Sequence, residues 1–374
     1  MKAIINAQII TTQEILKGYN LLFNHKIISI TKELPIWAEI IDAKGAYLSA
    51  GFIDIHIHGI NGSDIMDSNF DSLNNISNSL PQTGTTSFLA TTMTMSKEEI
   101  QNALLNIQIN RDRVEGAKIV GVHLEGPFIN PQKSGAQNPK YIQKPNFELI
   151  RDYIDIIKLI TIAPEVEGGR EFITYIKENY PDIILSIGHS DSSYEESLES
   201  FLWGISHSTH LFNAMNPLHH RKPGIVGAVF DNDEVSCEII ADNIHLHPSF
   251  YKIVYKMKRE QLLLVTDSMR ASCLKSGEYN LGGQKVIVKD SKATLKDGTI
   301  AGSVLKLNEA LRNMYKSIDI SLPNLINMVT YIPAQKLKLD IGELKEDYLA
   351  DIVLFDNDFN IQQTFIGGKR VYSR

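Results

Sequence analysis

From Gly51 onward the chain alternates short apolar, β-branched runs with longer stretches in which apolar residues recur at helical intervals, the pattern of a parallel sheet with crossover helices. Eight such runs occur: GFIDIHIH (51–58), TSFLATTM (86–93), KIVGVHLEG (118–126), IKLITIAPE (157–165), DIILSIGHS (182–190), GISHSTHLFN (204–213), SCEIIADNIHL (236–246) and QLLLVTDSM (261–269). Eight predicts an α/β fold of the (β/α)8 TIM-barrel type. Between the runs, Ser96 and Glu99 stand at capping-box spacing, and 249–258 carries apolar residues at helical intervals. Residues 1–50 read differently, with short strand-like stretches such as LLFNHKIISI punctuated by Gly18, Asn24 and Gly45. The end of the chain, ADIVLFDNDFNIQQTFIGGKRVYSR, reads the same way. The simplest arrangement pairs both ends into a small β-sandwich domain beside the barrel, formed by 1–50 and 343–374, with 51–342 as the catalytic barrel.

Composition narrows the partners. The 374 residues are 43% hydrophobic, enough to bury a large core, and 44 acidic against 37 basic residues give a net charge of −7 without long like-charged runs. That balance argues against nucleic acid. Two distant cysteines, Cys237 and Cys273, supply neither a disulfide framework nor a CxxC metal site. No apolar run approaches the roughly 20 residues of a membrane span. Met1 to Ile10 is interrupted by Asn6 and Gln8 and lacks a signal-peptide pattern. The expectation is a cytoplasmic protein with no membrane partner.

The polar residues that matter fall at the ends of the runs, where barrels of this type build their sites. In Asp54-Ile55-His56-Ile57-His58 the histidines are two apart on a strand, so both rings face one side, the barrel interior. Alone, a histidine there is more often a packed core residue. The third run ends His123-Leu124-Glu125-Gly126-Pro127, with His123 and Glu125 on one face; a carboxylate inside an apolar strand is costly unless paired or coordinated. His189 ends the fifth run, His207 and His210 the sixth, and Asp267 the eighth. Five strand ends thus offer nitrogen and oxygen ligands of the kind divalent transition metals prefer. A Ser-His-Asp hydrolase lacks its G-x-S-x-G elbow and would leave most of these histidines unused.

With these motifs in view, the chain resembles the amidohydrolase superfamily and, within it, the N-acetylglucosamine-6-phosphate deacetylase family. GFIDIHIHG, HLEGPF, GHS (188–190), THLFNAM (209–215), HRKPG (220–224), ADNIH (241–245), LVTDSM (264–269) and IAGSVL (300–305) carry the resemblance over nearly the whole chain. It implies Glu125, His189 and His210 as ligands of one divalent metal, with zinc, iron, manganese and cobalt all suited to the donor set. His56 and His58 would hold a second metal that shares Glu125, and Asp267 would be the catalytic acid/base. It further implies substrate contacts from Ala136, Gln137, Asn213, Ala214, Arg221, His245, Ala301, Gly302 and Ser303. Arg221 would reach the neighbouring active site of a homodimer. Gln137 stands where some members carry a histidine, and Ala50 where amidohydrolases commonly carry proline.

The implied reaction is hydrolysis of the acetamide of N-acetylglucosamine 6-phosphate by a metal-activated water, with His245 or Gln137 as oxyanion donors. The alternatives are another amidohydrolase activity, on N-acetylgalactosamine 6-phosphate or a cyclic amide, and a sensor that binds an amino-sugar phosphate without turnover. His25, His207, His219, His220 and His247 receive no role.

Overall fold

A computed structural model describes residues 1–374. The eight runs form eight parallel strands: β1 (Phe52–Ile57), β2 (Thr85–Thr91), β3 (Lys118–Glu125), β4 (Ile157–Ile162), β5 (Ile184–Ile187), β6 (Ile205–Ser208), β7 (Ser236–Ile240) and β8 (Leu262–Val265). Each pairs in parallel with the next in chain order. The sheet curls until its ends meet just beyond β8, where the Asp267 amide donates to His56 O at 2.8 Å and the His58 amide to Ser268 O at 2.9 Å. This is the (β/α)8 barrel the spacing predicts, with one apolar cluster running through its wall and surrounding helices.

Helices follow most strands. Lys97–Asn110 begins at the Ser96 capping box and Ser249–Lys258 matches its periodicity. The β3 to β4 crossing departs from the expected pattern, because it contains only short 3-10 turns (Pro131–Lys133, Pro139–Tyr141, Phe147–Leu149, Arg151–Ile156). Pro127, Pro131, Pro139 and Pro145 explain this: each removes a backbone donor and disfavours helical geometry in the residue before it. Asn130 and Asn138 cap single turns that go no further.

The two ends of the chain do meet. Tyr47–Ala50 pairs antiparallel with Ile352–Phe355 and in parallel with Gln8–Ile10, inside a six-stranded sheet. A second, four-stranded sheet comes from the first 42 residues. A separate apolar cluster draws on both sheets through Ile4, Leu21, Phe23, Leu48, Ile352, Leu354 and Phe365. Residues 277–294 form a three-stranded antiparallel sheet that folds over the C-terminal mouth of the barrel and packs Leu281, Val286 and Val288 against Met93 and Met269. No helix is long and apolar enough to cross a membrane.

The barrel seam is fastened by a buried carboxyl group. Asp54 accepts from the Thr266 hydroxyl at 2.6 Å and from the His56 and Thr266 amides at 3.2 and 3.4 Å. Burial pushes its carboxyl up to about 7 despite these bonds. Its value to the fold is therefore its acceptor oxygens, which join β1 to the chain leaving β8. Asp54→Ala strands three donors, and thermal unfolding of the metal-free protein should show it less stable by about 1 to 3 kcal/mol; Asp54→Asn, which keeps one acceptor, should lose less.

Candidate active site

The curl of the barrel brings together residues that are far apart in sequence. Glu125, at the end of β3, is buried at the centre. Its Oε1 lies 3.3 Å from His56 Nε2, 3.2 Å from His189 Nε2 and 3.1 Å from His210 Nε2. Its Oε2 lies 3.2 Å from His58 Nε2. Asp267 Oδ1 completes the ring, 3.2 Å from His58 Nε2 and 3.6 Å from His56 Nε2. Period-two geometry on β1 does place His56 and His58 on one interior face, and His123 and Glu125 likewise share theirs.

Three of these side chains sit on strained backbone. His189, His210 and Asp267 have φ of 48°, 29° and 46°, in the left-handed region that residues with a Cβ disfavour. Each stands two residues past the end of its strand, and the turn swings the side chain from the wall into the mouth. Cross-strand bonds hold these turns: Thr209 N to Ile187 O at 3.0 Å, Asn130 N to His189 O at 2.9 Å and Ser303 N to Asp267 O at 2.8 Å. Such strain clusters where surrounding structure over-determines it, commonly at functional sites.

The electrostatics are mutual. Burial alone would raise the Glu125 carboxyl, but the His56 charge and the hydrogen bonds of His189 and His210 hold it well below its ordinary value. Burial likewise acts against a charged His56, yet Glu125, Glu238 and Asp267 carry it well above the usual imidazole range. His58 is held at about 9 against burial, by Asp267 and Glu125. Burial would raise Asp267, and the His56 and His58 charges lower it.

The same atoms suit a divalent cation. His56, His58 and Glu125 form one group, and Glu125, His189 and His210 another, whose ligand atoms lie within 4.8 Å of one another. His189 Nε2 and His210 Nε2 stand only 3.0 Å apart, facing one carboxylate oxygen, and the buried His56 Nε2 has no hydrogen bond of good geometry. Imidazole nitrogens crowded on a shared carboxylate fit zinc, iron, manganese or cobalt.

Above this centre lies a cavity of about 250 Å³ lined in part by Gln137, Asn213, Ala214, His245, Asp267 and Gly302, with Ala136 also on its wall. Other expected contacts fall elsewhere. Ala301 is buried in the small cluster beneath the 277–294 sheet, and Ser303 gives its hydroxyl to Thr266 O at 2.6 Å, so both stand behind Gly302 rather than on the wall. Arg221 is exposed, its guanidinium 2.7 Å from His220 Nε2, and it does not line this chain's cavity. Gln137 is spoken for: its carbonyl accepts from the Thr94 amide at 2.6 Å and its amide donates to Glu125 Oε2 at 2.7 Å. His245 Nδ1 is tied to Asp242 Oδ2 at 2.7 Å.

Sequence reasoning missed Glu238. It lies on β7, fully buried, 2.9 Å from His56 Nδ1 and 3.1 Å from His207 Nε2. The available signal was a glutamate within the otherwise apolar run SCEII, the same signal that drew notice to Glu125. His207, without a role in the motif reading, is therefore an interior partner of this carboxylate, whereas His25, His219, His220 and His247 are exposed.

The whole barrel and part of each terminal segment, residues 47–371, match the model of the amidohydrolase family. The chain belongs to the amidohydrolase family. It is 38% identical to the N-acetylglucosamine-6-phosphate deacetylase of Bacillus subtilis, over 96% of this chain and 94% of that protein. It is 40% identical to the enzyme of the same name from Lysinibacillus sphaericus, over 88% of this chain and 86% of the other. The crystal structure of N-acetylglucosamine-6-phosphate deacetylase from Pasteurella multocida superposes with a TM-score of 0.95 at 30% identity, covering 100% of both chains.

These charges make a pH signature in this amidohydrolase without its metal. Since the His58 imidazole rises from 6.5 to about 9 on folding, its charged form stabilises the metal-free fold fully below about pH 6.5, and that contribution disappears as pH rises through 9. The melting temperature of chelator-treated protein should therefore fall between pH 7 and 9.5. Metal-loaded protein, whose ligands are already neutral imidazoles, should not lose that increment over the same interval.

Proposed function

We propose that this amidohydrolase hydrolyses the acetamide of N-acetyl-D-glucosamine 6-phosphate to D-glucosamine 6-phosphate and acetate, in amino-sugar catabolism and cell-wall sugar recycling. The observation that carries the reading is the convergence of Asp267, five metal-type ligands and a sugar-sized cavity at one barrel mouth. Glu125, His189 and His210 would hold one divalent metal, and His56 and His58, sharing Glu125, a second. When bound, such a metal lowers the pKa of water toward neutrality and polarises the acetyl carbonyl.

The chain's own residues supply the rest. Asp267, ionised and pinned by backbone bonds on both sides, takes the proton of the attacking water and returns it to the departing amine. Both expected oxyanion donors also have partners within the chain. The Gln137 amide gives one N–H to Glu125 and orients that carboxylate, while its second N–H meets only Met93 Sδ at 3.7 Å and is the one to offer an oxyanion. His245, with Nδ1–H given to Asp242, presents Nε2 as an acceptor when neutral, which suits a sugar hydroxyl. Asn213 and Ala214, on the turn after β6, and Gly302 opposite would border the ring.

No lysine or arginine lines the cavity, so a phosphate there has no cation from its own chain. This supports a homodimer in which Arg221 crosses to the neighbouring site, its planar fork gripping phosphate oxygens. A cytoplasmic location and a division of the chain into 1–50 with 343–374 and 51–342 belong to the same reading.

Acetate release by metal-supplemented protein tests it. We expect fast, chelator-sensitive release from N-acetylglucosamine 6-phosphate and far slower release from the unphosphorylated sugar, because binding energy at the phosphate positions the distant acetyl group. Equal rates on the two sugars would sink the phosphate clamp, and release from neither would discard the substrate. A faster rate on the galactosamine epimer would reassign it. Arg221→Ala should raise KM at least about tenfold, the scale of one lost charge-assisted contact. Asp267→Asn should abolish turnover while elemental analysis shows metal retained; loss of metal would overturn the acid/base role.

A further inference from the structure

Glu238 lies beneath the site, on β7, and is fully buried. A carboxylate without water needs donors, and here three come from two other strands. Its Oε2 accepts from His56 Nδ1 at 2.9 Å and from the backbone amide of His210 at 3.2 Å. Its Oε1 faces His207 Nε2 at 3.1 Å, whose other ring nitrogen is 2.6 Å from Ser236 Oγ. The Glu238 carbonyl accepts from Leu211 N at 2.9 Å, so one residue grips the strained turn that carries His210 from two sides.

The consequence is at the far side of the His56 ring. A carboxylate only accepts, so the contact with Glu238 requires a proton on His56 Nδ1, and a neutral imidazole then keeps its lone pair on Nε2. That nitrogen is the one buried without a good hydrogen bond, 3.3 Å from Glu125 Oε1 and 3.6 Å from Asp267 Oδ1. A lone pair aimed between Glu125 and Asp267 is what a cation needs.

We propose that Glu238 is a positioning residue for the metal centre: it fixes His56 in the tautomer whose Nε2 faces Glu125, and through the His210 amide it locks a ligand from the neighbouring strand in register. The inference rests on the metal-binding reading above. Carboxylate partners of ligating histidines commonly contribute about 10- to 100-fold to metal affinity.

The test is zinc affinity of the metal-free full chain, measured by competition against a chelator, for wild type, Glu238→Gln and Glu238→Leu, each with and without His56→Asn. The amide of Glu238→Gln has one acceptor oxygen for three donors, so we expect about tenfold weaker zinc binding, and for Glu238→Leu a loss approaching about 100-fold. With His56→Asn already present, most of that loss should vanish, because there is no ring left to orient. A merely structural role predicts the same loss in both backgrounds, and that result, or wild-type affinity in Glu238→Gln, overturns the proposal. Should Glu238→Leu not fold, the Glu238→Gln cycle decides alone. Wild type that binds no zinc refutes the metal reading itself, which separates its failure from that of the positioning role.

Discussion

A carboxylate has been placed where an apolar strand would ordinarily exclude it, and the mouth of the barrel is arranged around that fact. Glu125 is nearly inaccessible to water, and the cost of burying its charge is met by four imidazoles from β1 and the turns after β5 and β6, with Gln137 donating to its second oxygen. Each partner is itself buried and depends on Glu125 in turn, so removing any one leaves the others underpaired. The barrel is the frame that makes this possible, because only closure of the sheet brings β1 against the end of β8 and sets Asp267 beside His58.

Stability and chemistry pull in different directions at the strand ends. Non-glycine residues in left-handed backbone are unfavourable, and His189, His210, Ala214 and Asp267 all adopt it within one small region. The turns persist because their amides and carbonyls bond across strands, and because buried side chains such as Glu238 and Asp54 hold the strands from behind. A preorganised site of this kind requires little rearrangement to accept a cation or a substrate. The three-stranded sheet of 277–294 adds a roof over the cavity, with Leu281, Thr299, Ile300 and Gly302 reaching its wall.

The cavity's charge pattern is one-sided. Its walls carry carboxylates, imidazoles, amides and apolar groups, with no lysine or arginine. The exposed Arg221 lies on a loop after β6, outside its own cavity.

Much of this was legible in the sequence, for an identifiable reason. Strands have period two and helices about 3.6, so the eight runs, their order and the inward faces of His56, His58, His123 and Glu125 followed from local pattern alone. Capping at Ser96 is likewise written in adjacent residues, whereas the helix-free crossing between β3 and β4 went against the expected alternation. What local pattern cannot supply is which strand end faces which, since that depends on barrel closure and on turns whose φ values run against residue preference. Only the tertiary structure showed that Glu238 and His207 belong beneath the site, that Gln137 serves Glu125, that His245 is oriented by Asp242, and that Ala301 and Ser303 stand behind Gly302. Sequence determined the strand-end residues from which a site could be built; closure of the sheet decided their partners, because a buried donor takes whichever acceptor the fold brings within about 3 Å.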